Sequence, residues 1–221
     1  LVNSGKCKII ARRGGKINYN AALPVTRSFT VKNRTLTIRS IRSQDGWILE
    51  SGEDTEQGGT RNAGATTFMI GDDELDKQYR AILSFNTAGL PDNAVITKVR
   101  IKIREQGLVG SDPFTTHGGL KVDISNPFFG TTAGLVISDF QEKPDQSAVA
   151  SFGATPVNNW YSAILNETGR TYVNLTSTTQ LRLRFLKGDN DDMSADYMEF
   201  FSGNYTTTSF RPILIIEYTI P

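Results

Sequence analysis

The chain has 221 residues, 38% of them hydrophobic and 21% charged, with a formal net charge of +1. This length suits one large domain, or one domain with an extension, whose core buries about 70% of the surface the unfolded chain exposes, so the fold needs no covalent staple. The single cysteine, Cys7, excludes an internal disulfide framework, and no stretch approaches the roughly 20 apolar residues of a membrane-spanning helix.

The chain opens LVNSGKCKIIARRGGKINYNAALP, with Leu1 first and no signal-like apolar region, which reads as a processed or trimmed mature form. Residues 1–44 carry ten basic side chains and no acidic one, whereas the remainder carries 14 basic and 23 acidic. A cationic arm is therefore joined to an anionic body. Such asymmetry is common in nucleic-acid or membrane tails. Here, however, the charges of Lys6, Lys8, Arg12, Arg13 and Lys16 alternate with strand formers, Ile9, Ile10, Ile17, Tyr19, Phe29 and Val31, which argues for an ordered arm and against both disorder and a nucleic-acid partner. Gly14-Gly15 reads as a break between strand pieces at 6–13 and 16–20. Fully extended, 34 residues reach about 110 Å. Such an arm can wrap its own body, form an edge strand of it, or add a strand to a neighbour's sheet edge. Cys7 reads as a small buried hydrophobe, an unpaired thiol or one half of an interchain bond.

Beyond the arm the chain reads as β throughout. TLTIRSI (35–41) alternates Leu36 and Ile38 with Thr35, Thr37 and Arg39, the pattern of a half-buried strand. GWILE, TTFMIG and YRAILSFN follow, parted by Gly, Asn and Asp clusters that read as turns. In AVITKVRIKIRE the apolar Ile96, Val99, Ile101 and Ile103 oppose Lys98, Arg100, Lys102 and Arg104. LKVDIS, TYVNL, QLRLRFLK, YMEFFSG and RPILIIEYTIP complete the set. In QLRLRFLK the residues Leu181, Leu183 and Phe185 face in and Arg182 and Arg184 face out. TPVNNWYSAILNETG has Thr155 as a cap, Pro156 at the first helical position and Gly169 past its end, which predicts a short helix. The expected architecture is all-β: a jelly-roll-like β-sandwich body over 35–221, one short helix, and an N-terminal extended β arm over 1–34.

From about residue 36 onward, DGWILESGED, GDDELDKQYRAILSFNTAGLPDNAVITKVRIKI, THGGLKVDIS, RLRFLKGDNDDMSADYMEFFSGN and RPILIIEY occur in an order that resembles the DNRLRE, or disaggregatase-related repeat, family. The hallmark strand and turn correspond here to Arg80 to Phe85 and Leu90 to Ile96. The resemblance implies an extracellular or cell-surface β-sandwich, often appended to other modules, with some members treated as carbohydrate-binding. It supplies no catalytic residues, and the basic arm lies outside it.

The candidate sites are few. The lone histidine, His117, sits in a Gly-rich loop and reads as a turn residue; one His and one Cys cannot build a zinc centre. Calcium takes six to eight oxygen ligands, which Asp-rich turns can supply. Two stretches qualify: Asp72, Asp73 and Asp76 in GDDELD, and Asp189, Asn190, Asp191, Asp192 and Asp196 in GDNDDMSAD. The same residues also favour turns simply by bonding their own backbone. Trp47, Trp160, Tyr161 and Tyr205 are the aromatic platforms on which a sugar could stack, set against the core role that most large aromatics fill. Four Asn-x-Ser/Thr sequons, at Asn33, Asn166, Asn174 and Asn204, fit an exported protein.

The expected function is a non-enzymatic, secreted structural subunit that builds a surface fibre or layer from copies of itself. The arm residues Lys6, Cys7, Lys8, Ile9, Ile10, Arg12, Arg13, Lys16, Ile17 and Tyr19 would form the donated strand. A carbohydrate-binding module with a polysaccharide partner is the alternative. No cofactor is required; a structural calcium ion is the one candidate, at the two Asp-rich stretches.

Overall fold

A computed structural model describes residues 5–220; Leu1 to Ser4 of the arm and Pro221 lie outside the described residues. The fold is all-β and sandwich-like. β1 (Gly5–Arg13) and β2 (Ala22–Val31) form a separate two-stranded antiparallel hairpin, and every other strand belongs to one antiparallel sheet curled on itself. One layer has the order β11 (Trp160–Ile164), β8 (Val95–Val109), β14 (Ile213–Thr219), β3 (Arg34–Arg39). The other runs β10 (Gln146–Ser151), β9 (Leu120–Ser125), β12 (Thr178–Phe185), β7 (Gln78–Asn86), β4 (Gly46–Glu50), β5 (Gly58–Asn62). β6 (Thr67–Asp72) and β13 (Asp196–Phe201) join the layers, because β8 pairs with β14 along its first part and with β13 along its last. The register slip between Glu199 and Phe200 falls at this crossing, where a bulge lets a strand turn a corner.

The main core lies between the layers and follows the alternation of the sequence. Val99, Ile101 and Ile103 of β8, Leu181, Leu183 and Phe185 of β12, and Leu214 and Ile216 of β14 are all buried. A second, smaller core lies on the outer face of the second layer, where Phe129, Leu135 and Phe140 from the 126–142 segment cover Ile48 and Ile82.

This second core corrects the expectation for Arg182, which does not face out. It is buried, with Nη1 donating to the carbonyls of Asp139, Phe140 and Glu142 (3.0, 3.1 and 2.7 Å) and Nη2 3.0 Å from Asp123 Oδ2. Arg184 is half-buried on the same carboxylate, at 3.1 Å. Arg80 acts alike: its guanidinium lies 3.9 Å from the Phe140 ring centroid and Nη1 donates to the Phe140 carbonyl at 2.8 Å.

The segment expected to be helical, 155–169, is instead built around a tight turn and a five-residue strand. Asn158 and Asn159 both adopt left-handed backbone (φ 52° and 63°), and Val157 and Trp160 exchange backbone hydrogen bonds at 3.0 Å. This two-residue turn suits Asn-Asn, and β11 follows it with Tyr161, Ala163 and Leu165 buried in alternation. The helix is confined to α2 (Glu167–Thr171), capped by Asn166, whose Oδ1 accepts from Gly169 N at 2.8 Å. A second short helix, α1 (Pro113–Thr116), was not expected. TYVNL is not a strand either: it spans the end of α2 and the bend after it, with Val173 in the core.

Candidate functional site: the N-terminal hairpin and the acidic pole

The arm is not one extended strand but a hairpin. Cys7 lies opposite Phe29, Ile9 opposite Arg27 and Ala11 opposite Val25, while Lys6 faces Thr30, Lys8 faces Ser28 and Ile10 faces Thr26. Directly opposed residues share a face of a β ribbon, so the ribbon is amphipathic. One face carries Cys7, Ile9, Ala11, Val25 and Phe29 around a single charge, Arg27, and the other carries Lys6, Lys8, Ile10 and Arg12. β1 leaves its strand at Gly14-Gly15, where the break was expected. A Cβ at Gly15 would sit 2.9 Å from the Tyr19 carbonyl oxygen. Lys16 and Tyr19 close the turn with paired backbone bonds of 3.0 and 2.9 Å, leaving Ile17 at the tip, 99% exposed.

Apart from Val31, where the chain enters the body, and Cys7, which is half-buried, the described hairpin is exposed on both faces. Leu23 is 90% exposed, and Ile9, Val25 and Phe29 are also open. Among the described residues the ribbon pairs with no body strand. The β2 half of the apolar face was missed by reasoning that treated the arm as a single strand, although Phe29 and Val31 had already marked it as strand-forming.

The two acidic stretches, more than 100 residues apart, come together at one end of the body, joined by the 51–57 turn that sequence reasoning did not select. Asp76 Oδ2 accepts from Met193 N (3.0 Å), Asp72 Oδ1 from Asp196 N (3.1 Å) and Glu50 Oε2 from Gln78 N (3.2 Å). Asn190 Nδ2 donates to Asp192 (2.9 Å) and Asp196 (3.2 Å), and Asp73 accepts from Leu75 N and Lys77 N. Gly110, at φ +71°, lets the end of β8 meet this loop, since a Cβ there would lie 1.7 Å from the Ala195 carbonyl oxygen. Burial, then the charges of Asp191, Asp54, Asp72 and Asp76, pushes the Asp189 carboxyl up to about 6. Glu53 is raised by desolvation and then by Asp76, Asp54, Asp191 and Glu50.

The buried carboxylates of this pole are thus engaged by backbone N–H groups that tie the loops together. Among the described residues no group of three or more His, Cys, Asp or Glu side chains is arranged to hold a metal ion. His117 lies at the base of the pole rather than in an open turn. It is fully buried, with Nδ1 2.6 Å from Thr116 Oγ1 and Nε2 3.1 Å from Asp72 Oδ2, the latter outside hydrogen-bonding geometry.

The four aromatic candidates are scattered. Tyr161 is buried and stacks on Phe114 at 5.5 Å, so it is core. Trp47 packs partly buried on the main core, edge-on to Tyr79. Tyr205 belongs to a cluster with Phe201 and Phe210, and Arg104 caps that cluster 3.6 Å from the Phe210 centroid. Trp160 alone lines a hollow, of about 370 Å³, with Arg100, Lys102, Thr155, Asn158 and Ser162; Lys102 Nζ lies 5.0 Å from its ring centroid. Of the sequons, Asn204 is committed to structure, since its Nδ2 donates to the carbonyls of Ala63 and Ala65.

The class these features define is an all-β, sandwich-like body with a free basic hairpin. No helix among the described residues is long and apolar enough to cross a membrane. In comparisons with known proteins, no family model and no curated protein matches the chain.

Proposed function

We propose that this chain is a non-enzymatic structural subunit of an extracellular or cell-surface assembly, linked head to tail to further copies by its N-terminal hairpin. The observation that carries this reading is the exposed, largely apolar face of the hairpin, Cys7, Ile9, Ala11, Val25 and Phe29 around Arg27. A two-stranded hairpin is at best marginally stable alone in water and needs a third strand or a packing layer, and among the described residues the body supplies neither. Charge favours docking on another body, since the arm is wholly basic and the rest of the chain is net acidic. A contact between two different surfaces of the same subunit does not close unless its rotation forms a ring, and so builds fibres. The resemblance of the body to the DNRLRE family supports the surface location.

The test is negative-stain electron microscopy of the full chain beside the variant Ile9→Asp/Phe29→Asp. Filaments from the first and isolated particles from the second are expected; isolated particles from both overturn the reading. The assembly requires no cofactor. Calcium is the ion to include as a control, because carboxylates converge at the acidic pole.

A carbohydrate-binding module is the second reading, favoured by Trp160 in its hollow beside Arg100 and Lys102. An aromatic face with two cations suits a polysaccharide bearing carboxylates. A monomer retained on such a polysaccharide and released by Trp160→Ala is the outcome this reading expects from the same preparations.

A further inference from the structure

We infer that the acidic pole of the body is the surface that receives the apolar face of the hairpin from a second copy. The inference rests on the head-to-tail reading above and adds the acceptor to it.

The placement of the two surfaces carries the first part of the argument. The hairpin enters the body at β3, where Arg34 lies opposite Tyr218, itself opposite Ile96 at the start of β8. The far end of β8 is Val109, which lies opposite Tyr197 beside the acidic loops. β7 likewise runs from Gln78 at the acidic pole towards the hairpin's pole, and nine residues at about 3.3 Å each separate the two by roughly 30 Å. Donor and acceptor therefore sit at opposite ends of one subunit. A hairpin projecting from one pole meets the other pole of the next copy, and repetition extends the row.

The second part is chemistry. The 50–57, 72–77 and 186–196 segments hold twelve acidic residues against two lysines, Lys77 and Lys187. Lys77 is already paired with Asp73. Among these acids, Leu75, Leu186 and Met193 stand exposed, Met193 72% so. The pole thus offers apolar contacts inside an anionic surround, and the hairpin offers a largely apolar face with Arg27 within it and Lys6, Lys8 and Arg12 behind it. Such complementarity steers encounter and fixes orientation.

The third part is elimination of the sheet edges. β3 ends in Arg34 and Arg39, and β11 runs beside Arg100 and Lys102, so both repel a basic ribbon. The register of β10 breaks between Gln146 and Ala150, with Ala148 at φ 50°. β5 is overlain by the 137–140 turn, where a Cβ on Gly58 would lie 2.2 Å from the Ile137 carbonyl oxygen. A bulged or covered edge does not template another strand.

The test pairs two full-length variants. Ile9→Asp/Phe29→Asp removes the donor and keeps the pole, whereas Glu53→Lys/Glu74→Lys, at exposed sites, removes the acceptor and keeps the hairpin. Light scattering with size-exclusion chromatography should show each variant assembling only at about tenfold or higher concentration than wild type. Their equimolar mixture should form a dimer that grows no further, because one donor and one acceptor survive in the pair. That dimer also shows that both variants are folded. Wild-type assembly with undiminished assembly of the Glu53→Lys/Glu74→Lys variant overturns the acceptor assignment alone. A wild type that stays monomeric overturns the head-to-tail reading and this inference together.

Discussion

Asp45 is fully buried between β4 and the 202–204 turn, where Oδ1 accepts from Ser84 N at 3.0 Å and Oδ2 from Gly203 N at 3.2 Å. Burial pushes its carboxyl up to about 7 from 3.8, and these N–H groups only partly offset it. An acid whose pKa is raised by folding contributes most below the unfolded value, where both states are protonated. The contribution is lost as pH rises through the folded value. The window for Asp45 is therefore about pH 4 to 7, and a shift of three units bounds the effect at about 4 kcal/mol. Asp45→Asn cannot ionise, but it turns an amide towards an N–H donor, which costs about 1–3 kcal/mol at every pH. Urea titrations of both proteins should show the largest deficit of the variant near pH 4, shrinking by pH 8. A deficit independent of pH above about pH 4 would mean that Asp45 is charged in the folded protein as it is in the unfolded one.

At the scale of elements, the 126–142 segment is tied to the sheet by three buried polar side chains, Arg80, Gln180 and Arg182, rather than by strand pairing. Arg182 satisfies three carbonyls of the segment and the Asp123 carboxylate at once. Arg182→Met would bury a similar stem but strand those acceptors, and losing one partner of a buried ion pair costs about 3 kcal/mol or more. Asp123 would keep Arg184 and the Ala148 N–H, so the lower end applies. Hydrogen exchange should rise across 126–142 while β8 and β14 stay protected; uniform loss of protection would instead mean that Arg182 supports the whole sandwich. The same arginine marks where sequence reading stops. Alternation located the inward faces of β8 and β12, because adjacent side chains must point to opposite sides. It also put Arg182 outside, since nothing within β12 reveals that a distant loop covers the outer face. In 155–169 the Thr-Pro start and late Gly169 outweighed Asn158-Asn159, whose left-handed turn instead forms a hairpin. The acidic stretches were legible one by one. Their meeting depends on pairing across about 120 residues, which no local pattern encodes.

For the whole molecule, polarity decides what Cys7 can do. It is the only cysteine in the chain and lies on the apolar face of the hairpin opposite Phe29. A disulfide with another copy must therefore join Cys7 to Cys7, with the two Cα atoms within about 4.4–6.8 Å. That brings two hairpins face to face in a symmetric contact, whereas the head-to-tail row proposed above needs each hairpin on a different surface. On that proposal, oxidation and polymerisation are competing fates. A chain oxidised at low concentration should run as a dimer on a non-reducing gel and form no filaments in the microscope, and reduction should restore them. Preformed filaments should shield Cys7 from maleimide labelling and survive reductant, and Cys7→Ser should polymerise under either condition. Filaments that come apart on reduction would place the bond inside the row and require a hairpin-to-hairpin contact in place of a polar one.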